Sequence, residues 1–191
     1  MELTLTQARI DEILDGMMLV AKQQRTQIPY SKVDAFAQVL MFLGPNLEVA
    51  TYPAIWRNEK EKYALMRAVS EAAKKTLAQA VILISDVRWV ENSRAEKILG
   101  LPPLAEVGVE EWQTLYKREI TKRYGGYLGK APPELYSEAI MAIMKGPRLN
   151  GVPTRMAVYE KGENDSIRWL PKHPESEGIT HKFNLLPDWW C

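Results

Sequence analysis

Apolar residues recur at intervals of three and four along the start of the chain. Ile10, Ile13, Leu14, Met17, Met18 and Ala21 fall on one stripe, which predicts an amphipathic helix laid on a core. Thr4 and Gln7 have the spacing of a capping box at its start. Pro29 sets its end near Gln27. Val33, Phe36, Ala37, Leu40 and Leu43 repeat in the same way behind Ser31 as N-cap and Asp34 in the first turn, predicting a second helix stopped by Gly44-Pro45. Leu47–Trp56 reads as a short extended piece broken by Pro53. Asn58, with Glu61 behind it, then caps a long helix to about Leu77, with Tyr63, Met66, Val69, Ala73 and Leu77 along one side.

The pattern changes at Ala80. Ala80–Val90 is almost continuously apolar at its start and rich in β-branched residues, the signature of a central strand covered on both faces. Asn92–Leu104, with Gly100, Pro102 and Pro103, reads as a connector. Glu110–Arg123 is helical by the spacing of Trp112, Tyr116 and Ile120, and Gly125-Gly126 closes it. Pro132-Pro133 opens a further predicted helix, with Leu135, Ile140, Ile143 and Met144 inward and Gly146-Pro147 at its end. Thr154–Glu160 and Ser166–Leu170 form a hairpin through Lys161–Asp165. Beyond Pro171 the chain is proline-rich and aperiodic until Trp189-Trp190.

Helices, a strand, helices and a hairpin in that order imply an α+β fold. The expectation is a single domain over 1–170, a small mostly antiparallel sheet of about three or four strands flanked by about five helices, and an extended tail, 171–191, docked on the same domain. Strands and helices do not alternate regularly enough for a doubly wound parallel sheet.

Composition narrows the partners. The chain has 191 residues, 46% of them hydrophobic and 26% charged, enough to bury about 70% of its unfolded surface. Its 25 basic and 24 acidic residues leave a net charge of +1, which argues against nonspecific binding to nucleic acid as the main task and against duplex as the main partner, and leaves room for a small local phosphate site. The single cysteine, Cys191, can form neither an internal disulfide nor a cysteine metal cluster. Met1-Glu2-Leu3-Thr4 has no secretory pattern, and runs such as Ala80–Ile84 are too short for a bilayer. The expectation is a cytoplasmic protein without a membrane partner, able to pair as a homodimer through its first helix.

Three stretches carry candidate chemistry. In Lys122-Arg123-Tyr124-Gly125-Gly126-Tyr127-Leu128-Gly129-Lys130, glycine amides can turn to an anion, Arg123 and Lys130 can neutralise phosphate, and Tyr124 and Tyr127 can stack on a base. No glycine-lysine-serine/threonine follows a strand, so this is not a phosphate loop, and the same glycines would equally close a helix. In Asp86-Val87-Arg88-Trp89, an acid and a cation share one side of the central strand and Trp89 points to the other; an ordinary ion pair is the plainer use. His173, Glu175, Glu177 and His181 are metal-binding types, but the spacing fits no standard site. No metal or other cofactor is expected.

A serine hydrolase is hard to build from two histidines, both in the tail, without a glycine-x-serine-x-glycine elbow. Glu110 and Glu111 are helix neighbours that point apart. Tryptophan and arginine are enriched in binding hot spots, which makes Trp56, Arg57, Trp189 and Trp190 candidate partner contacts. The function expected is therefore a non-catalytic binding protein that recognises a macromolecule or sequesters a small anionic, nucleotide-like ligand, as a phage or bacterial accessory or inhibitor protein would. Arg123, Tyr124, Tyr127 and Lys130 are the first choice of contacts, Asp86 and Arg88 the second. One rival is an enzyme on nucleotides or phosphate esters with Asp86 as its carboxylate; the other is a protein–protein adaptor using the tryptophans.

Overall fold

The computed structural model describes residues 6–32, 37–44, 46–54, 59–126, 128–149 and 151–171. The chain divides into two compact units, one built from the residues up to Asp86 and those from Ile140 onward, the other from Val87–Ala139.

Helix α1 spans Gln7–Thr26. Thr6 is its N-cap, its hydroxyl accepting from the amide of Arg9 at 3.3 Å; Thr4 lies outside the described residues. Ile10, Leu14, Met18 and Ala21 are buried as the stripe requires, and Arg25 is buried one turn further on. On the outer side of the helix, Arg155 bonds Asp11 at 2.6 Å and Asp15 at 2.7 Å. The hydrogen bond from Arg155 holds the Asp11 carboxyl below its ordinary range.

Of the run expected to be a second helix, Val33 and Phe36 lie outside the described residues and Ala37–Leu43 is strand β1. Its four consecutive residues Val39–Phe42 are all buried, which one helical stripe cannot achieve but a strand between two layers can. Val39 and Met41 pack on one face of the sheet, Leu40 and Phe42 on the other. The Ser31 hydroxyl, expected at an N-cap, donates to Asp165 at 2.6 Å. Asp34 lies outside the described residues.

Strand β2, Glu48–Pro53, pairs antiparallel with β1. Helix α2, Glu59–Lys75, leads to β3, Ala80–Trp89, as expected. β3 also pairs antiparallel with β1. β4, Ser137–Lys145, replaces the helix expected after Pro132-Pro133; the prolines open only a single 3₁₀ turn, Pro133–Leu135. Glu138–Met144 are buried without a break. The alanines and methionines of this run favour helix intrinsically, and burial on both faces overrides them. β5, Thr154–Lys161, and β6, Ile167–Trp169, form the expected antiparallel hairpin.

These strands make one six-stranded sheet in the order β2-β1-β3-β4-β5-β6, so the sheet is larger than the three or four strands expected. The two additional strands are the two runs read as helices. In the first unit α1 covers one face, against Phe42, Ile82, Ile140 and Tyr159. Met66, Val69 and Ala73 of α2 cover the other, against Met41, Val81 and Leu83. Alternate residues of β1 and β3 thus enter different cores.

The second unit carries α3, Asn92–Leu99, where a connector was expected, then α4, Leu104–Val107, and α5, Val109–Tyr124. Only Ala95 and Leu99 of α3 are buried, too few points for a period to stand out. They join Leu101, Trp112, Ile120 and Leu135 in a separate core, where the Trp112 and Tyr116 rings stack at 5.4 Å and 7°. Burial pushes the Tyr116 hydroxyl up to about 12.

Candidate functional site

The basic, glycine-containing stretch begins inside α5. Gly125 has φ +66° and Gly126 φ +82°, a backbone that glycine adopts without strain. The amide of Gly125 donates to the carbonyl of Thr121 at 3.0 Å and that of Gly126 to Ile120 at 3.2 Å. These two amides therefore close the helix, with Gly125 as its left-handed cap residue, which is one of the two uses expected of them. Arg123 reaches across to α3, donating to the carbonyls of Leu99 at 2.8 Å and Ile98 at 3.3 Å while its Nε meets Glu119 at 3.2 Å. It satisfies the carbonyls at the end of α3 and complements that helix's dipole. Tyr124 is half-buried against the core of this unit and Lys130 is exposed. Tyr127 lies outside the described residues.

Charge is concentrated here. From Lys117 to Lys130 the chain carries five basic residues, Lys117, Arg118, Lys122, Arg123 and Lys130, against the single acid Glu119. Lys117, Lys122 and Lys130 are exposed and make no ion pair among the described residues.

The second candidate resolves into two separate pairs. Asp86 belongs to the first unit and is buried. Its Oδ1 accepts from Arg25 Nε at 3.0 Å and from the Tyr159 hydroxyl at 2.9 Å. Arg25, 0% exposed, also donates to Tyr159 Oη at 3.3 Å and to the carbonyls of Ile28, Pro29 and Lys32 at 3.0, 3.4 and 3.4 Å. Its guanidinium lies 5.0 Å from the centre of the Tyr159 ring, which makes T-shaped contacts with Tyr30 and Trp169. Arg88 belongs to the second unit, where its Nε stands 3.5 Å from Glu138 and its guanidinium 5.5 Å from the Tyr136 ring. Beside it Arg94 donates to Ser137 Oγ at 3.0 Å. Trp89 is half-buried.

Arg25 and Tyr159 were not singled out from sequence, yet both lay on a legible pattern. Arg25 follows Ala21 by four on the apolar stripe of α1, a position where a lone charge needs a buried partner. Tyr159 alternates with Ala157 along β5, and both pack in the α1-side core.

Burial first, and then the neighbouring Asp86 charge, raise the Tyr159 hydroxyl above the ordinary value of 10.0. The folded chain thus holds this proton more tightly than the unfolded chain. The stability it contributes is complete below about pH 10 and declines above it, by up to about 1.4 kcal/mol per pH unit. Tyr159→Phe is expected to cost about 1–2 kcal/mol at neutral pH through the two lost hydrogen bonds and to flatten the alkaline loss of stability. Urea unfolding at pH 7 and across pH 10–11 checks both. An unchanged alkaline slope would remove Tyr159 as its source.

No protein-family model, curated protein or solved structure matches this chain. What it does is therefore a question of its own chemistry. Among the described residues there is no group of three or more His, Cys, Asp and Glu placed to hold a metal ion. His173, Glu175, Glu177 and His181 lie outside the described residues, as do the partner candidates Trp56, Arg57, Trp189 and Trp190. No helix among the described residues is long and apolar enough to cross a membrane.

Proposed function

We propose that the protein is a non-catalytic binding protein that takes an anionic ligand at the basic end of α5. Lys122 and Lys130 supply charge, Tyr124 the aromatic edge, and Arg123 both charge and the anchoring of α3. Tyr127 belongs to the same stretch. The observation that carries this reading is the local excess of five basic residues over one acid between Lys117 and Lys130, with three lysines left exposed and unpaired among the described residues.

The state of Asp86 favours binding over hydrolysis. A carboxylate that attacks or activates a nucleophile must reach the substrate. Asp86 is only 1% exposed at its side chain and paired with Arg25, and Arg88 faces Glu138.

Calorimetric titration with nucleoside mono-, di- and triphosphates, alongside chromatography of the recovered nucleotides, tests this. Binding without turnover is expected. The double variant Lys122→Ala/Lys130→Ala should weaken binding about tenfold or more, the scale of one or two lost charge-assisted contacts. Turnover abolished by Asp86→Asn in a variant that remains folded would replace this reading with an enzyme.

A further inference from the structure

Resting on the binding reading above, we infer that the ligand of the basic end of α5 is single-stranded nucleic acid, lying along the outward face of the helix. α5 turns Trp112 and Ile120 into its core, with Leu115 and Tyr116 half-buried. Gln113, Thr114, Lys117, Arg118, Thr121 and Lys122 are exposed, as are Val109, Glu110 and Glu111 at the start of the helix, so the cationic face is the part from Lys117 onward. Arg118 and Lys122 stand one helical turn apart, about 6 Å along the axis, with Lys117 beside them. Glu119 is half-buried, accepts from Arg123 at 3.2 Å and stands 3.7 Å from Arg118 Nε.

The helix dipole accounts for part of this charge and leaves the rest. Lys122 and Arg123 lie in the last turn, where cations complement the helix dipole. Lys117 and Arg118 precede that turn, and the dipole effect falls off within it.

The chemistry of the face selects among anions. The amides of Gly125 and Gly126 are committed to the carbonyls of Thr121 and Ile120, so they offer an isolated phosphate no cradle. Separated cations instead suit a ligand with charges spread along its length. An acidic protein segment needs an apolar or aromatic anchor for its affinity, and the exposed side chains named between Gln113 and Lys122 are all polar. Lysine is a point charge that holds phosphate without reading sequence. The net charge of +1 for the whole chain suits a single strand better than the dense field of a duplex.

The test is fluorescence anisotropy of the full chain with labelled oligothymidylate of about 20 nucleotides, well above the few contacts expected. Duplex of equal length, ATP and a polyglutamate peptide serve as the other probes. Three phosphate contacts at a slope of about 0.7 each predict about 20-fold weaker strand binding when salt rises from about 50 to about 200 mM. The variant Lys117→Ala/Arg118→Ala/Lys122→Ala changes only exposed side chains. It should keep the wild-type circular dichroism and lose most of the affinity and of the salt slope. Strand binding unchanged in that variant overturns the inference, as does a preference for duplex or for polyglutamate. ATP binding as tight as the strand overturns it too, while leaving the anion-binding reading in place. Failure of every probe to bind overturns both.

Discussion

Asp86→Asn is expected to lower the stability of the protein by about 3–5 kcal/mol, the scale for removing one partner of a buried ion pair. The substitution preserves size and leaves a hydrogen-bond acceptor, but Arg25 keeps its charge at 0% exposure with nothing to neutralise it. Water cannot reach the guanidinium, and its other acceptors are three backbone carbonyls and the Tyr159 oxygen, which stabilise a cation less than a carboxylate does. For a chain of this size the loss corresponds to a fall of about 10 °C in the unfolding midpoint. Arg25→Met/Asp86→Leu separates the pair's own contribution from the cost of breaking it. Replacing both charges by apolar groups is often neutral. Here it should recover only part of the stability, because the carbonyls of Ile28, Pro29 and Lys32 lose their donor as well. Thermal unfolding of the wild type, both single variants and the double variant measures this. A midpoint of Asp86→Asn within about 2 °C of wild type would mean that the pair contributes little, since about 1 kcal/mol shifts it by that much.

The cluster also shows what the sequence could and could not convey. Asp86 was legible as an important acid because it closes an apolar strand on the face already set by Ala80, Ile82 and Ile84. Its partner was not legible from spacing, since Arg25 stands 61 residues away and meets it only through packing of α1 across the sheet. α1, α2, α5 and the final hairpin were readable because each shows the period of an element buried on one side or ends in proline or glycine, and β3 because Val81, Ile82, Ile84 and Val87 make its apolar run β-branched. β1 and β4 were not: like β3 they are buried on both faces, but methionine, alanine and leucine outnumber the β-branched residues that mark a strand. A continuously apolar run has no period to betray a strand, and Leu40 with Leu43, or Ile140 with Ile143 and Met144, mimic helical spacing by chance.

The basic stretch divides similarly. Its charge excess is plain in the sequence. That the glycine amides and Arg123 serve helix ends is a tertiary fact, because Ile98 and Leu99 lie 25 and 24 residues from Arg123. The local motif points to the loop, while most of the exposed charge lies on the helical face of Lys117, Arg118 and Lys122.

Gly146→Ala is expected to destabilise the first unit by about 3 kcal/mol, the upper part of the range for forcing extra volume into a packed site. A methyl group there would stand 2.6 Å from the carbonyl oxygen of Gln79, 3.3 Å from Leu149 Cγ and 3.4 Å from Ala80 Cα. Leu149 can rotate, but the Gln79 carbonyl cannot readily retreat. The Gln79 amide is bonded to the carbonyl of Phe42 at 2.8 Å, and Ala80, 0% exposed, pairs with Phe42 in the sheet. Moving that carbonyl means shifting the start of β3 within a core packed on both faces. The strain is steric and does not come from backbone conformation, so Gly16→Ala, where an added methyl meets nothing within 4 Å, provides the control. Gly16 sits within α1, where alanine is favoured over glycine by about 0.5–1 kcal/mol. The two variants should therefore move the unfolding midpoint in opposite directions. A Gly146→Ala protein as stable as wild type would show that the turn after β4 can move away from β3, and that this contact does not fix where the sheet ends.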